Sequence, residues 1–133
     1  MRTAVGGDGQ LSELPPFGLG WPRTELRRQL VEAVLRGEKT ATAGLAEDDD
    51  DPDARPGDRR LLLGFDDEPV AIVELTEVRT VPAGEIDVEF ARDEGEGFES
   101  VEDWREAHER FFERPLPDDT PIVATRFRLV ERL

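Results

Sequence analysis

Cysteine and tyrosine are absent from this chain of 133 residues, and it holds one methionine, one histidine and a single lysine, Lys39. The lack of cysteine excludes disulfides, thiol nucleophiles and thiolate metal sites together, and it fits a cytoplasmic protein. One histidine without cysteine makes a zinc site an unsuitable reading. No metal site and no cofactor are therefore expected, with any need for a divalent ion left open. No run approaches the roughly eighteen apolar residues of a membrane span, so no membrane association is expected. The first residues carry no basic start followed by an apolar stretch, so no secretory signal is read.

What is present in excess is negative charge. Thirty-two acidic side chains against seventeen basic ones leave a formal charge of -15. A field of that sign repels a long polyanion. Double-stranded DNA is not an expected partner, and RNA would need a local pocket or a fragment as small as a nucleoside. Sixteen of the seventeen basic residues are arginine. On a solvated surface either residue serves, but only lysine readily gives up a proton in a buried site, which singles out Lys39. Aliphatic runs such as Leu61-Leu62-Leu63 and Val70-Ala71-Ile72-Val73 exclude wholesale disorder.

Residues 1–20, rich in glycine, proline and small polar residues, read as a flexible N-terminal arm, with one ordered domain over 21–133. Thr24 is placed to cap a helix running to about Arg36, with Leu26, Leu30, Ala33 and Val34 on its buried face and Gly37 ending it. Glu47 to Asp51 reads as a solvated loop, since like charges resist packing. Its adjacent carboxylates lack the alternating spacing of a calcium loop. Leu61–Phe65 and Val70–Val78 carry strand signals across a tight connection. A short helix over Glu85–Arg92 would bury Ile86 and Phe90, and Gly95 and Gly97 break it. Ser100 opens a capping box for a helix presenting Val101, Trp104, His108 and Phe111 on one stripe, closed by Pro115 and Pro117. Ile122–Val130 reads as a last strand, with Val123, Phe127 and Leu129 on one side. Helices and strands that do not alternate strictly give an α+β domain.

The segment Gly37-Glu38-Lys39-Thr40-Ala41-Thr42-Ala43-Gly44 is a glycine-bounded turn holding the lysine and two threonines. Lys39 and Thr42 can share one side of such a turn. In a sheltered turn the amine could serve as a base toward the hydroxyl; otherwise the segment is a helix end followed by a polar turn. Glu94 and Glu96 stand among glycines that allow close backbone approach, or else are exposed loop residues. His108 reads as a core-edge histidine bonded to a neighbour. Trp21, Phe98 and Trp104 are aromatics able to stack a base, although Trp104 also fits a core stripe.

The lysine segment resembles the signature of the ASCH domain family, in the branch whose motif reads GEKTAT. Gly37, Lys39 and Thr42 match, and Gly44 stands where the general family pattern has arginine. The later run Ala91 to Gly97, then Ser100, Trp104-Arg105 and His108 before Phe111-Phe112, resembles the same branch, as does Arg126-Phe127. The likeness spans about Trp21 to Val130. It implies a small PUA-like β-barrel with flanking helices. It also implies RNA or nucleoside recognition. Relatives include an amidohydrolase acting on N4-acetylcytidine and a member that cuts single-stranded RNA. Carried over by position, Lys39, Thr42 and Glu94 would be catalytic, with Glu96 a rival to Glu94. Gly37, Thr40, Gly44, Glu96, Ser100, Trp104 and Arg126 would be binding residues. The expectation is a hydrolase acting on a modified nucleoside or a short single-stranded RNA; the alternative is a non-catalytic RNA-binding regulatory module. Three departures from the branch bear on this: Asp48-Asp49-Asp50-Asp51 replaces an aromatic-acidic segment, Phe98 replaces an acidic residue, and a pocket tyrosine is unavailable.

Overall fold

The computed structural model describes residues 14–19 and 24–133. In chain order the elements are strand β1 (Pro16–Phe17), helix α1 (Glu25–Leu35), β2 (Ala41–Leu45), a 3-10 turn (Ala46–Asp48), β3 (Arg59–Leu63), β4 (Pro69–Pro82), a second 3-10 turn (Ala83–Glu85), α2 (Val88–Asp93), α3 (Val101–Phe112) and β5 (Pro121–Arg132). The strands form one sheet in the order β1-β3-β4-β5-β2. β1 runs parallel to β3 and every other pair is antiparallel. The α+β class is as expected. The barrel is open, because β1 and β2 are the two ends of a linear order and do not meet.

Register breaks between Ile72 and Val73 and between Leu75 and Glu77 bend the long β4–β5 ladder. Such irregularities raise the local twist and let a small sheet curl. Alternation along the strands then feeds two cores. Ala41, Leu45, Ile122 and Ala124 pack under α2 and α3 with Phe90 and Trp104. Leu62, Val73, Leu75 and Phe127 pack under α1 with Leu30, Val31 and Val34.

Several sequence readings shift. Pro16 and Phe17 were expected in a loose arm, yet they extend the sheet, and Leu19 is buried. An edge strand two residues long leaves no alternating pattern to read. Ala41–Leu45, read as a polar turn, is a strand held by pairing with β5. The short helix starts at Val88, because the Asp87 side chain accepts from the Phe90 amide and caps it there. Thr24 precedes α1 without a side-chain cap bond. Phe111, placed on the buried stripe of α3, is 48% exposed, and Phe112 packs against the core instead. Trp21 lies outside the described residues. Among the described residues no helix is long and apolar enough to cross a membrane.

Candidate functional site

The end of α1 sets the position of Lys39. Gly37 adopts φ +82 after the helix, and the Glu38 amide reaches back to the Ala33 carbonyl while the Gly37 amide reaches Val34. This glycine-dependent closure satisfies the last carbonyls and turns the chain sharply. Thr40 then locks to the end of α2: its amide donates to the Asp93 carbonyl at 2.8 Å, and its own carbonyl accepts from the Phe127 amide. Gly95, at φ +70, lies so close that an added Cβ would stand 2.5 Å from the Glu38 oxygen and 2.7 Å from the Lys39 Cα. Two segments far apart in sequence are thereby pressed together.

At this junction Lys39 is 1% exposed, and its ammonium has an acceptor for each hydrogen. Nζ donates to the Ala41 carbonyl at 2.8 Å, the Glu94 carbonyl at 3.2 Å and Glu96 Oε2 at 3.2 Å. Glu94 Oε1 stands 3.8 Å from the same nitrogen. The Glu94 carboxylate is equally enclosed. Its Oε2 accepts from Trp104 Nε1 at 2.5 Å, and its Oε1 lies 3.4 Å from His108 Nε2. His108 Nδ1 meets the Trp104 carbonyl at 2.8 Å. A carbonyl can only accept, so Nδ1 carries a hydrogen, and Nε2 facing a carboxylate is satisfied only if it carries one too.

The surroundings favour the protonated ring. Burial works to lower the His108 pKa, but the hydrogen bond and charge of Glu94, the Trp104 carbonyl and the charge of Glu96 outweigh it, leaving it above the ordinary 6.5. Burial raises the Glu96 pKa; Lys39 opposes this and the charge of Glu94 adds to it, leaving Glu96 above the ordinary 4.5. Both folded values exceed the unfolded ones, so the folded chain holds extra protons. The His108 contribution to stability is full below the ordinary histidine value and is lost as pH rises through the folded value. Chemical unfolding at a series of pH values should show this loss in the native chain and not in His108→Asn. A ring titration by NMR falling below 6.5 would contradict the assignment.

This network forms one wall of a cavity of about 930 Å³. Lys39, Thr42, Gly44, Glu94 and Glu96 all line it, as do Phe98, His108 and Thr125. Among the described residues no hydrogen bond joins Lys39 to Thr42, although both face the same space. The acidic run, expected as a solvated loop, also borders the cavity through Asp48, Asp49, Asp50 and Asp51. Asp51 is held by Arg60 in a two-pronged contact at 2.9 and 3.2 Å.

The other expected binding residues stand elsewhere, for local reasons. Gly37 ends α1. Thr40 bonds to Asp93. The Ser100 hydroxyl accepts from the Asp103 amide and caps α3. Trp104 is fully buried, so it holds Glu94 and cannot stack a base. Arg126 points to the other face of β5, bonded to Asp93 at 2.5 Å and Glu77 at 3.2 Å, where it fixes the end of α2. Among the described residues no three His, Asp or Glu side chains are grouped to hold a metal ion. Sequence reading did not find Thr125. Its one available signal was a hydroxyl residue inside the apolar set of the last strand.

Comparison with known proteins agrees with this architecture. The model of the ASCH domain family matches residues 20–131. The crystal structure of protein EF3133 from Enterococcus faecalis superposes with a TM-score of 0.78 at 23% identity, covering 98% of this chain and 85% of that one. An ASCH domain from Lactobacillus crispatus gives 0.74 at 23% identity, covering 98% and 86%. The hypothetical protein PH0355 gives 0.57 at 19% identity, covering 77% and 92%. These likenesses establish a shared fold. No curated protein shows significant similarity to the chain. With its family match covering residues 20–131, the chain belongs to the ASCH domain family and has that family's PUA-like fold.

Proposed function

We propose that this ASCH domain, from a family generally associated with RNA recognition, takes an unphosphorylated nucleoside-sized ligand into its cavity and hydrolyses an amide on it. The observation that carries this reading is a buried lysine between two glutamates in the cavity wall, with the Thr42 hydroxyl facing the same space. A volume of about 930 Å³ lies in the range of small-molecule sites, about 300–1,000 Å³. Four aspartates on the border disfavour phosphate groups.

Amide hydrolysis needs an oxygen to add to the carbonyl carbon, the C–N bond to break, and the nitrogen to take up a proton. Thr42 supplies the hydroxyl, as nucleophile or as the group that positions water. Lys39 supplies positive charge for the oxygen of the carbonyl. Family resemblance gives proton transfer to Glu94, but both Glu94 oxygens are engaged by Trp104, Lys39 and His108. We assign the proton to Glu96, which is partly open, contacts Lys39 through one oxygen only and has a raised pKa. Glu94 then orients Lys39. A second reading, binding without chemistry, draws on the saturation of the Lys39 hydrogens.

The test is incubation of the protein with N4-acetylcytidine, other acylated nucleosides and labelled single-stranded RNA, with products separated by chromatography. Release of the amine form from a nucleoside is expected, falling about 100-fold or more in Glu96→Gln. Ligand binding with no product supports the binding module. Cleavage of RNA with nucleosides untouched would overturn the amidase reading.

A further inference from the structure

Thr125 is nine-tenths buried at 9% exposure, yet it borders the cavity. Among the described residues no hydrogen bond engages its hydroxyl, and that oxygen is not sealed off, so it opens to the cavity and is free to meet a ligand. Thr125 is also the direct cross-strand partner of Thr42. Opposed side chains in an antiparallel pair have Cβ atoms about 4.5–5.5 Å apart on one face. Two hydroxyls thus stand side by side on the sheet that floors the cavity, beside Glu96 and Lys39.

A hydroxyl can both donate and accept. Two of them at this spacing match a planar ligand edge that presents a donor and an acceptor next to each other. Neighbouring charges cannot do this reading. The Lys39 hydrogens are occupied by Ala41, Glu94 and Glu96, and the His108 nitrogens face Trp104 and Glu94. We propose that Thr125 is a specificity-determining residue that, together with Thr42, reads the adjacent N–H and C=O groups of a planar amide-like ligand edge. The proposal rests on the cavity being a ligand site and requires no chemistry there.

The experiment uses the full chain with cytosine, cytidine and N4-acetylcytidine as probes. Binding is followed by calorimetry and by the methyl NMR signals of Thr42 and Thr125. Thr125→Val keeps the shape and removes the hydroxyl; Thr125→Ser keeps the hydroxyl. Probe binding that shifts both methyl signals, weakens about tenfold in the valine variant and is retained in the serine variant is the expected result. Equal binding by the native and valine proteins would overturn the proposal, as would the failure of every probe to shift Thr125. Binding of the bare base through Thr125 with no hydrolysis of any nucleoside would sustain the proposal and sink the amidase reading alone. Hydrolysis undisturbed by Thr125→Val would do the reverse.

Discussion

Replacing Lys39 by methionine is expected to cost about 3–5 kcal/mol of folding stability, because it leaves Glu94 a buried carboxylate without its lysine partner. The magnitude follows from enclosure. Both side chains are 1% exposed, so water cannot take over the lost contact. His108 retains part of the compensation from 3.4 Å. The control is the double variant Lys39→Met with Glu94→Gln, where the orphaned charge is gone. It should recover a substantial part of the loss, giving a coupling energy well outside the range of independent sites. Urea unfolding of the four proteins measures this. A single variant within 1 kcal/mol of the native chain would show that the pair is not buried as described. Lys39→Arg is no simple test of charge here. A planar guanidinium is larger than an ammonium and must fit among three acceptors arranged around one nitrogen.

Gly95→Ala should be nearly as damaging through geometry alone. A non-glycine residue at φ +70 carries backbone strain, and the new methyl would meet main-chain atoms of Glu38 and Lys39 that cannot swing aside. A loss of about 3 kcal/mol, or roughly 10 °C in Tm, is expected. Gly97 supplies the comparison: it also has positive φ, +88, but an added Cβ there meets nothing within 4 Å. Gly97→Ala should cost only the strain, about 1 kcal/mol. Thermal unfolding of both variants separates the two effects. Equal shifts would mean that close approach at Gly95 contributes nothing.

The legible parts of the fold were those written locally. Gly37 marks its helix end because a single residue must take positive φ, and Ser100 marks α3 because its hydroxyl meets an amide three residues on. Phe111 was misplaced because a stripe at 104, 108 and 111 and one at 104, 108 and 112 both satisfy helical spacing; packing against the sheet selects Phe112. β2 was missed because Ala-Thr-Ala-Gly-Leu has no strong strand signal, and its conformation comes from β5. The same distinction runs through the site. Lys39 and Thr42 were flagged by one motif, and Glu94 and Glu96 by another. Which glutamate is sealed and which stays open depends on Trp104 and His108, brought in by α3. The resemblance puts Arg126 among the binding residues, but a motif does not say which face of β5 a side chain takes, and Arg126 bonds to Asp93 and Glu77. Thr125 carries no motif, and its place beside Thr42 at the cavity comes only from the pairing of β2 with β5.

The strand order has a consequence for how the domain is made. β5 lies between β4 and β2, so it supplies both the Thr42 partner and the carbonyl-to-amide link at Thr40. On the ribosome, α1, the lysine turn and β2 emerge first, and then wait while β3, β4, α2 and α3 are synthesised. Through that interval β2 has no neighbour, and closing its ladder later requires a long loop to be restrained at once, a slow step in chains dominated by distant pairings. A nascent chain stopped before residue 121 holds Lys39, Glu94 and Glu96 yet has no floor beneath them. The cavity floor is therefore complete only in a chain that has released β5 and closed its ladder with β2.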